Sequence, residues 1–263
     1  MEFTEPKVYH VAHTTLLEEG VQEYLDALDI PDWVTDAPSD VERLIEVIGR
    51  GCYRSFQPGM NKNVTKIREG NEPYIKNILS TRHGSVVEHA TDSYIFLDVS
   101  RVFTHELVRN RIGNAFSQES LRYVRLDRLK AWFPKVFQDH PKAELLRDYM
   151  RDKYETMEEW QRELQVMLEI DAVTDFKTKK KLTSAMRRFA PIGLATMIGF
   201  TGNQRSIRWA IEQRTDPAAE EEIRLVFGRV AEEQRRSYPN LYQDMYVEQH
   251  DGLPWYRFQN SKI

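Results

Sequence analysis

A chain of 263 residues, 41% hydrophobic and 30% charged, has enough apolar material for one large packed domain and enough charge for a soluble surface. Its net charge of −4 argues against a bulk polyanion such as duplex DNA as partner, although local basic clusters can still hold a phosphate. No apolar stretch is long enough to cross a bilayer, and the opening MEFTEPKVYH lacks the basic and apolar regions of an export signal, so a cytoplasmic protein is expected.

Residues 1–38 read as an irregular N-terminal extension, because Asp29-Ile30-Pro31-Asp32-Trp33 and Ala37-Pro38 are rich in turn formers. Residues 39–263 read as a single domain without repeats or low-complexity segments. Ser39 with Glu42 makes a capping box, and Val41, Leu44, Ile45 and Ile48 follow at helical spacing. That predicts a helix, ended by Gly49 and Gly51. The single cysteine, Cys52, can form no internal disulfide and anchors no cysteine metal site. With no histidine beside it, it reads as a small buried filler in preference to a nucleophile. Asn71-Glu72-Pro73 opens a second helix with Ile75, Ile78 and Leu79 on one side.

Thr91 to Val99 is rich in aromatic and β-branched residues and predicts a strand; Phe103 to Val108 then returns to helical spacing. A long amphipathic helix follows Pro141. Its stripe of Leu146, Met150, Met157, Trp160, Leu164 and Met167 reads as core or subunit interface. A further helix is expected to begin at Asp216-Pro217, an N-cap followed by proline, and to run towards Pro239 with Ile223, Val226, Phe227 and Val230 inward. Helices dominate and a few strands lie in the middle, so the class is mixed α and β.

Three polar clusters are candidates for chemistry. His83-Gly84-Ser85-Val86-Val87-Glu88-His89 holds two histidines and a glutamate, but not at the His-Glu-x-x-His spacing of zinc hydrolases. A further, distant ligand would be needed for a metal, and a hydrogen-bonded turn leading into the strand explains the same residues. The second cluster runs from Arg109-Asn110-Arg111 to Ser120-Leu121-Arg122-Tyr123. Guanidinium groups offer planar forks suited to phosphates and carbonyl edges, and here they alternate with hydroxyl and amide residues, as a nucleotide site would require. A solvated charged loop is the alternative. If Ser120 to Arg122 is extended, Ser120 and Arg122 point to the same face.

The third cluster joins Arg187-Arg188-Phe189-Ala190-Pro191, Asn203-Gln204-Arg205-Ser206 and Glu212-Gln213-Arg214. Positions 203, 207, 210, 211 and 214 follow one helical side, so Asn203 and Arg214 can face one cavity. Scattered surface arginines would account for any one of them. The Lys177-Thr178-Lys179-Lys180-Lys181 run reads as a solvated basic face, with weak steering of anions as the sharper alternative.

Taken in chain order, these clusters resemble the flavin-dependent thymidylate synthases. That family's signature, Arg-His-Arg and then Ser-x-Arg, stands here as Arg109-Asn110-Arg111 and Ser120-Leu121-Arg122. Its upstream His-x-Ser-x-x-Glu-His stands as His83 to His89, and Arg187 to Arg214 follows the family's downstream spacing without a gap. The resemblance implies an α+β fold with a central twisted, largely antiparallel sheet flanked by helices. It also implies a homotetramer whose active sites lie between subunits, each binding FAD. By the same resemblance Ser85, Arg109, Asn110, Arg111, Gln118, Asn203 and Arg205 surround the flavin. Glu106, Arg109, Gln118, Ser120, Leu121, Arg122, Arg187 and Arg214 surround a pyrimidine nucleotide.

The implied reaction is reductive C5-methylation of UMP or dUMP, with methylenetetrahydrofolate as carbon donor and NADPH as reductant. Arg214 is the catalytic candidate: aimed at the pyrimidine edge, it stabilises negative charge developing at N3 and the carbonyl. No enzyme nucleophile is expected, since Cys52 lies outside all three clusters.

Three departures from the pattern bear on the ligand. Asn110 replaces the central histidine, and an amide cannot become cationic. One extra residue stands between Arg111 and Ser120, near Asn114 or Ala115, and Trp209 stands where the family more often has a polar flavin contact. The altered loop makes the UMP-methylating branch of nucleoside-antibiotic biosynthesis a candidate. A different class of reading, a nucleotide-binding protein that has lost flavin chemistry, has Asn110 as its best support. Neither nucleic acid, nor membrane, nor metal is an expected partner.

Overall fold

The computed structural model describes residues 1–261. The chain opens with the two-residue strand β1 (Glu2–Phe3), then β2 (Lys7–His13) and helix α1 (Glu18–Ala27). The segment expected to be irregular therefore holds regular structure. Helix α2 (Asp40–Tyr53) starts at the capping box, where Ser39 Oγ accepts the Glu42 N–H at 3.2 Å and donates to Glu42 Oε2 at 2.8 Å. It continues through Gly49 and Gly51, which were expected to end it, and stops at Arg54 with a φ of +46°. Gly49 serves close packing instead, since a Cβ there would lie 2.4 Å from the Tyr74 hydroxyl. Cys52 is exposed and not the buried filler expected, because it sits in the last turn of α2, past the stretch that the core covers.

Helix α3 (Asn71–Ser80) and the single-turn α4 (Gly84–Val87) lead into β3 (Thr91–Ser100), α5 (Arg101–Leu107), β4 (Asn114–Gln118) and β5 (Lys130–Ala131). The single-turn α6 (Lys135–Gln138), the long α7 (Ala143–Met167) and α8 (Phe176–Met186) follow. A tight helical turn at Arg187–Phe189 precedes β6 (Ala195–Asn203), α9 (Gln204–Arg214) and α10 (Glu221–Ser237). The hairpin of β7 (Met245–His250) and β8 (Leu253–Phe258) comes last.

Strands β2, β3, β6 and β4 form an antiparallel sheet in that order. Alternation gives it one packed face, with Tyr94, Phe96, Ile198 and Phe200 buried against the inner sides of α2, α3, α5, α9 and α10. The other face carries Ser93, Ile95, Leu97, Met197 and Thr201, all partly exposed. A bulge at Asp98, φ +59°, shifts the register between β3 and β6 and prepares the turn into α5. Mixed class and antiparallel sheet are thus as the sequence indicated.

Two helices depart from expectation. Helix α10 begins at Glu221, with Glu220 as its cap accepting the Glu222 and Ile223 N–H groups at 2.8 and 3.4 Å. Asp216 makes a separate turn, accepting the Ala218 N–H at 2.8 Å. Helix α7 packs only part of its stripe. Met150 and Met157 join Leu121, Leu126 and Leu129 in a second apolar cluster, but Trp160 and Met167 are 46% and 71% exposed. Among the described residues no helix is long and apolar enough to cross a membrane.

One buried contact fixes the entry to α5. Ser100 Oγ caps the helix, accepting the Phe103 N–H at 3.1 Å. Glu222 on α10 accepts the Ser100 N–H at 2.7 Å and also the Ser100 hydroxyl, which ties α5 to α10. Burial pushes the Glu222 carboxyl up to about 7, against the lowering effect of those two bonds.

Candidate active site

Helix α9 divides its residues between core and solvent. Ile207, Ala210 and Ile211 are fully buried, while Arg205, Ser206, Trp209, Gln213 and Arg214 line a cleft of about 1000 Å³. Asn203 caps the helix, its Oδ1 accepting the Ser206 N–H at 2.8 Å, and it lines the same cleft. Asn203 and Arg214 thus share one cleft as expected, but the side expected to join them, through 207, 210 and 211, faces the core, and the cleft face of the helix runs through 205, 206, 209 and 213.

The loop after α5 supplies the facing wall: Arg109, Asn110, Arg111, Ile112 and Asn114. It is strapped to the start of α9. Ser206 Oγ donates to the Ile112 carbonyl at 2.8 Å, and the Asn203 N–H donates to the Gly113 carbonyl at 3.0 Å. Gly113 has a φ of +73°, and a Cβ on it would lie 2.5 Å from Asn203 Nδ2, so only glycine fits this turn. The loop ends at Asn114, the first residue of β4, whose Nδ2 donates to the Asn110 carbonyl at 2.9 Å. Asn114 Oδ1 is buried without a protein partner.

Arg214 closes the cleft at the other end of α9. Its Nε donates to Asn110 Oδ1 at 2.8 Å, one terminal nitrogen to the Glu106 carbonyl at 2.7 Å, and the other to Glu106 Oε2 at 3.4 Å. Burial pushes the guanidinium's pKa down, Glu106 opposes the shift and nearby Arg109 adds to it. The group remains a cation in any ordinary buffer. Among the described residues Arg109, Arg111, Arg205, Arg208 and Arg214 line the cleft against a single carboxylate, Glu88. Glu88 pairs with Arg205, and Arg208 is neutralised by Asp244 at 2.9 Å. The remaining charge favours an anion.

Other expected residues lie outside this lining. Ser85 is exposed on α4. Gln118 donates to Thr104 Oγ1 at 3.0 Å, and Leu121 is buried in the second apolar cluster. Ser120 to Tyr123 is a turn and not the extended segment considered from sequence, with the Tyr123 N–H donating to the Ser120 carbonyl at 3.0 Å. The turn still brings Ser120 Oγ within 3.5 Å of Arg122 Nε. Arg187 is exposed, and its charge adds to burial in pushing down the pKa of Arg101.

The first polar cluster splits as well: Glu88 reaches the cleft, but His83 stacks on Tyr53 with ring centres 5.4 Å apart. Among the described residues no three His, Cys, Asp or Glu side chains gather as metal ligands.

Sequence reasoning assigned no site role to Glu88, Asn114, Arg208, Trp209 or the C-terminal residues Phe258, Asn260 and Ser261, all of which line the cleft. Glu88 stood in a quoted motif and Trp209 among the departures. The C-terminal residues carry no motif that could have placed them.

A four-stranded antiparallel sheet with an arginine-lined cleft along one helix defines a protein built to hold an anionic, hydrogen-bonding ligand. Residues 34–240 match the family described as "Thymidylate synthase complementing protein" (Thy1), and the chain belongs to that enzyme family. It is 31% identical over 217 residues to the flavin-dependent thymidylate synthase of Corynebacterium efficiens, covering 82% of this chain and 84% of that one. It is 33% identical over 205 residues to the enzyme of the same name from Mycobacterium marinum, covering 77% and 78%.

Among solved structures, the UMP/dUMP methylase PolB from Streptomyces cacaoi, bound with 5-Br dUMP, aligns with a TM-score of 0.62 at 15% identity, covering 92% of this chain and 96% of that one. Thymidylate synthase X from Helicobacter pylori, with FAD and dUMP, aligns at 0.53 and 17% identity, covering 90% and 99%. These two likenesses establish the fold.

Proposed function

We propose that this chain is a flavin-dependent C5-methylase of a uridylate, acting on UMP, dUMP or both, with FAD in the cleft between the α5–β4 loop and α9. The observation that carries the reading is Arg214, held by three hydrogen bonds at one end of an arginine-lined cleft of about 1000 Å³. The relatives named flavin-dependent thymidylate synthases support the chemistry, and the PolB complexes with 5-Br dUMP and 5-Br UMP support both sugars.

The residues present fit a flavin nucleotide. Arg109, Arg111 and Arg205 offer cations for its pyrophosphate, and the buried, unpartnered Asn114 Oδ1 is an acceptor that a ligand N–H can satisfy. When bound, FAD supplies hydride, with NADPH as reductant and methylenetetrahydrofolate as carbon source.

The chain supplies position and field. Arg214 stabilises negative charge on the pyrimidine edge, which raises electron density at C5. Asn110 and Glu106 hold its plane. Cys52 is exposed on α2 and lines no part of the cleft, so activation proceeds without an enzyme thiolate.

Gln118, Ser120, Leu121, Arg122 and Arg187 contribute from a second copy of the chain in a homotetramer. The partly exposed outer sheet face and the exposed end of the α7 stripe are surfaces on which copies can associate. Asn110 has a positioning role of its own, so its presence does not by itself favour a flavin-free nucleotide binder. Purified protein supplied with methylenetetrahydrofolate and NADPH should convert UMP or dUMP to the 5-methyl product. A flavin-free protein that methylates neither overturns the reading.

A further inference from the structure

Trp209 is 46% exposed on the cleft wall, and among the described residues its indole has no hydrogen-bond, stacking or cation–π partner. Trp255 shows the contrast: its Nε1 donates to the Glu212 carbonyl at 3.1 Å, and the Arg257 guanidinium lies 4.4 Å from its ring. An open indole face inside a cation-lined cleft is suited to a flat ligand ring.

The neighbouring wall comes from Phe258, Asn260 and Ser261, beyond residue 240 where the family match ends. It is anchored to the same turn of α9. Arg208, adjacent to Trp209, is buried and donates to both Asp244 oxygens at 2.9 and 3.1 Å; its guanidinium lies 4.0 Å from the Phe258 ring. Asp244 in turn accepts the Asn260 N–H at 3.1 Å and Asn260 Nδ2 at 2.9 Å.

We propose that Trp209 offers the stacking face of a slot for a planar heteroaromatic ring of the flavin nucleotide, closed by Asn260 and Ser261 of the C-terminal arm, with the Arg208–Asp244 pair and the buried Phe258 ring setting the arm's place. The slot rests on the reading that FAD occupies this cleft. A polar residue at 209 would contact the ligand edge by hydrogen bonding; an indole holds it by its face. Both ends of FAD carry such a ring, and the arginines along the cleft suit the pyrophosphate that joins them.

Titration of the wild type, Trp209→Phe and Trp209→Leu with FAD and FMN by flavin fluorescence, and with ADP by competition, tests the slot. Loss of one stacked ring weakens binding by about ten- to a hundredfold. Trp209→Leu, folded as judged by its melting curve, should raise the Kd for FAD by that factor, and Trp209→Phe by much less. FMN affinity should fall in parallel if the slot takes the isoalloxazine, ADP affinity if it takes the adenine, and either supports the proposal. Equal weakening by Phe and Leu, or FAD affinity indifferent to residue 209, overturns the slot alone. A wild type that binds no FAD overturns the functional reading, and the slot with it.

Discussion

Asn110 Oδ1 accepts a 2.8 Å hydrogen bond from Arg214 Nε, linking the middle of the signature loop to the last residue of α9. Glu106 receives both terminal nitrogens of the same guanidinium. A planar fork held through all three nitrogens has its plane fixed, not only its position. A histidine at 110 would accept this bond only as a neutral ring, whereas an amide oxygen accepts it at any pH. The hold that Asn110 has on Arg214 therefore involves no titratable group at position 110.

Asn110→Ala should free one side of Arg214 and leave its charge in place. Hydrogen bonds to charged groups are worth about 1.5–3 kcal/mol, so kcat should fall by about tenfold or more. Arg214→Ala removes the charge itself and should lower kcat by roughly 10²–10³, as loss of a donor to a developing anion does. Steady-state kinetics on UMP and dUMP decide it. Wild-type kcat in Asn110→Ala would remove the positioning role.

Gly113→Ala places a side chain at φ +73° and against Asn203 Nδ2. The backbone strain alone amounts to roughly 1–3 kcal/mol, and the displaced Asn203 loses its cap on α9. Denaturant titration should show that loss of stability, accompanied by weaker FAD binding. Unchanged stability would mean that loop and helix are not strapped together as the hydrogen bonds indicate.

Cys52→Ser should leave turnover unchanged, because the thiol is exposed on α2 and lines no part of the cleft. A dead variant that is folded and loaded with flavin would reinstate a nucleophile.

Glu222 makes stability depend on pH in a definite direction. Its pKa rises from 4.5 to about 7 on folding, so between those values the folded state holds a proton that the unfolded state has released. Stability from this group is greatest below pH 4.5 and falls as pH rises to 7, by an amount on the order of 3 kcal/mol. His10, whose pKa is raised chiefly by the Asp92 carboxylate beside it, adds a loss of the same sign starting near the ordinary histidine value of 6.5. Glu222→Gln should remove the first contribution and keep the second. Melting curves from pH 4.5 to 7 should therefore be flatter for the variant, and parallel curves would contradict the assignment.

Much of this arrangement is legible in the sequence, wherever the determinant is local. Ser39 with Glu42 marks the start of α2, and the helical spacing of 203, 207, 210, 211 and 214 marks α9, although 207, 210 and 211 form its core side and the cleft is lined from 205, 206, 209 and 213. The strand β2 was missed because Lys7–His13 forms an edge, with Tyr9 and Val11 exposed, and shows no clean alternation of apolar and polar residues. The start of α10 was misplaced because Asp216-Pro217 satisfies a turn as readily as a helix N-terminus. The C-terminal wall depends on Arg208 meeting Asp244 across 36 residues, and no local pattern encodes that.

The division of expected nucleotide residues gives the last prediction. Arg214 lies in the cleft and Arg122 on the separate turn at 120–123, so in the proposed homotetramer a complete nucleotide site would draw the two from different subunits. Arg122→Ala and Arg214→Ala should each be nearly inactive alone. Unfolded together and refolded as a mixture, they should regain activity, because some sites then combine an intact cleft from one chain with an intact turn from the other. Random association at equal amounts restores about a quarter of the sites in a symmetric assembly. Sites built within a single chain would all carry one lesion or the other, and the mixture would stay as inactive as its parts. Recovery near a quarter of wild-type turnover, together with a tetramer by light scattering, is the expected result.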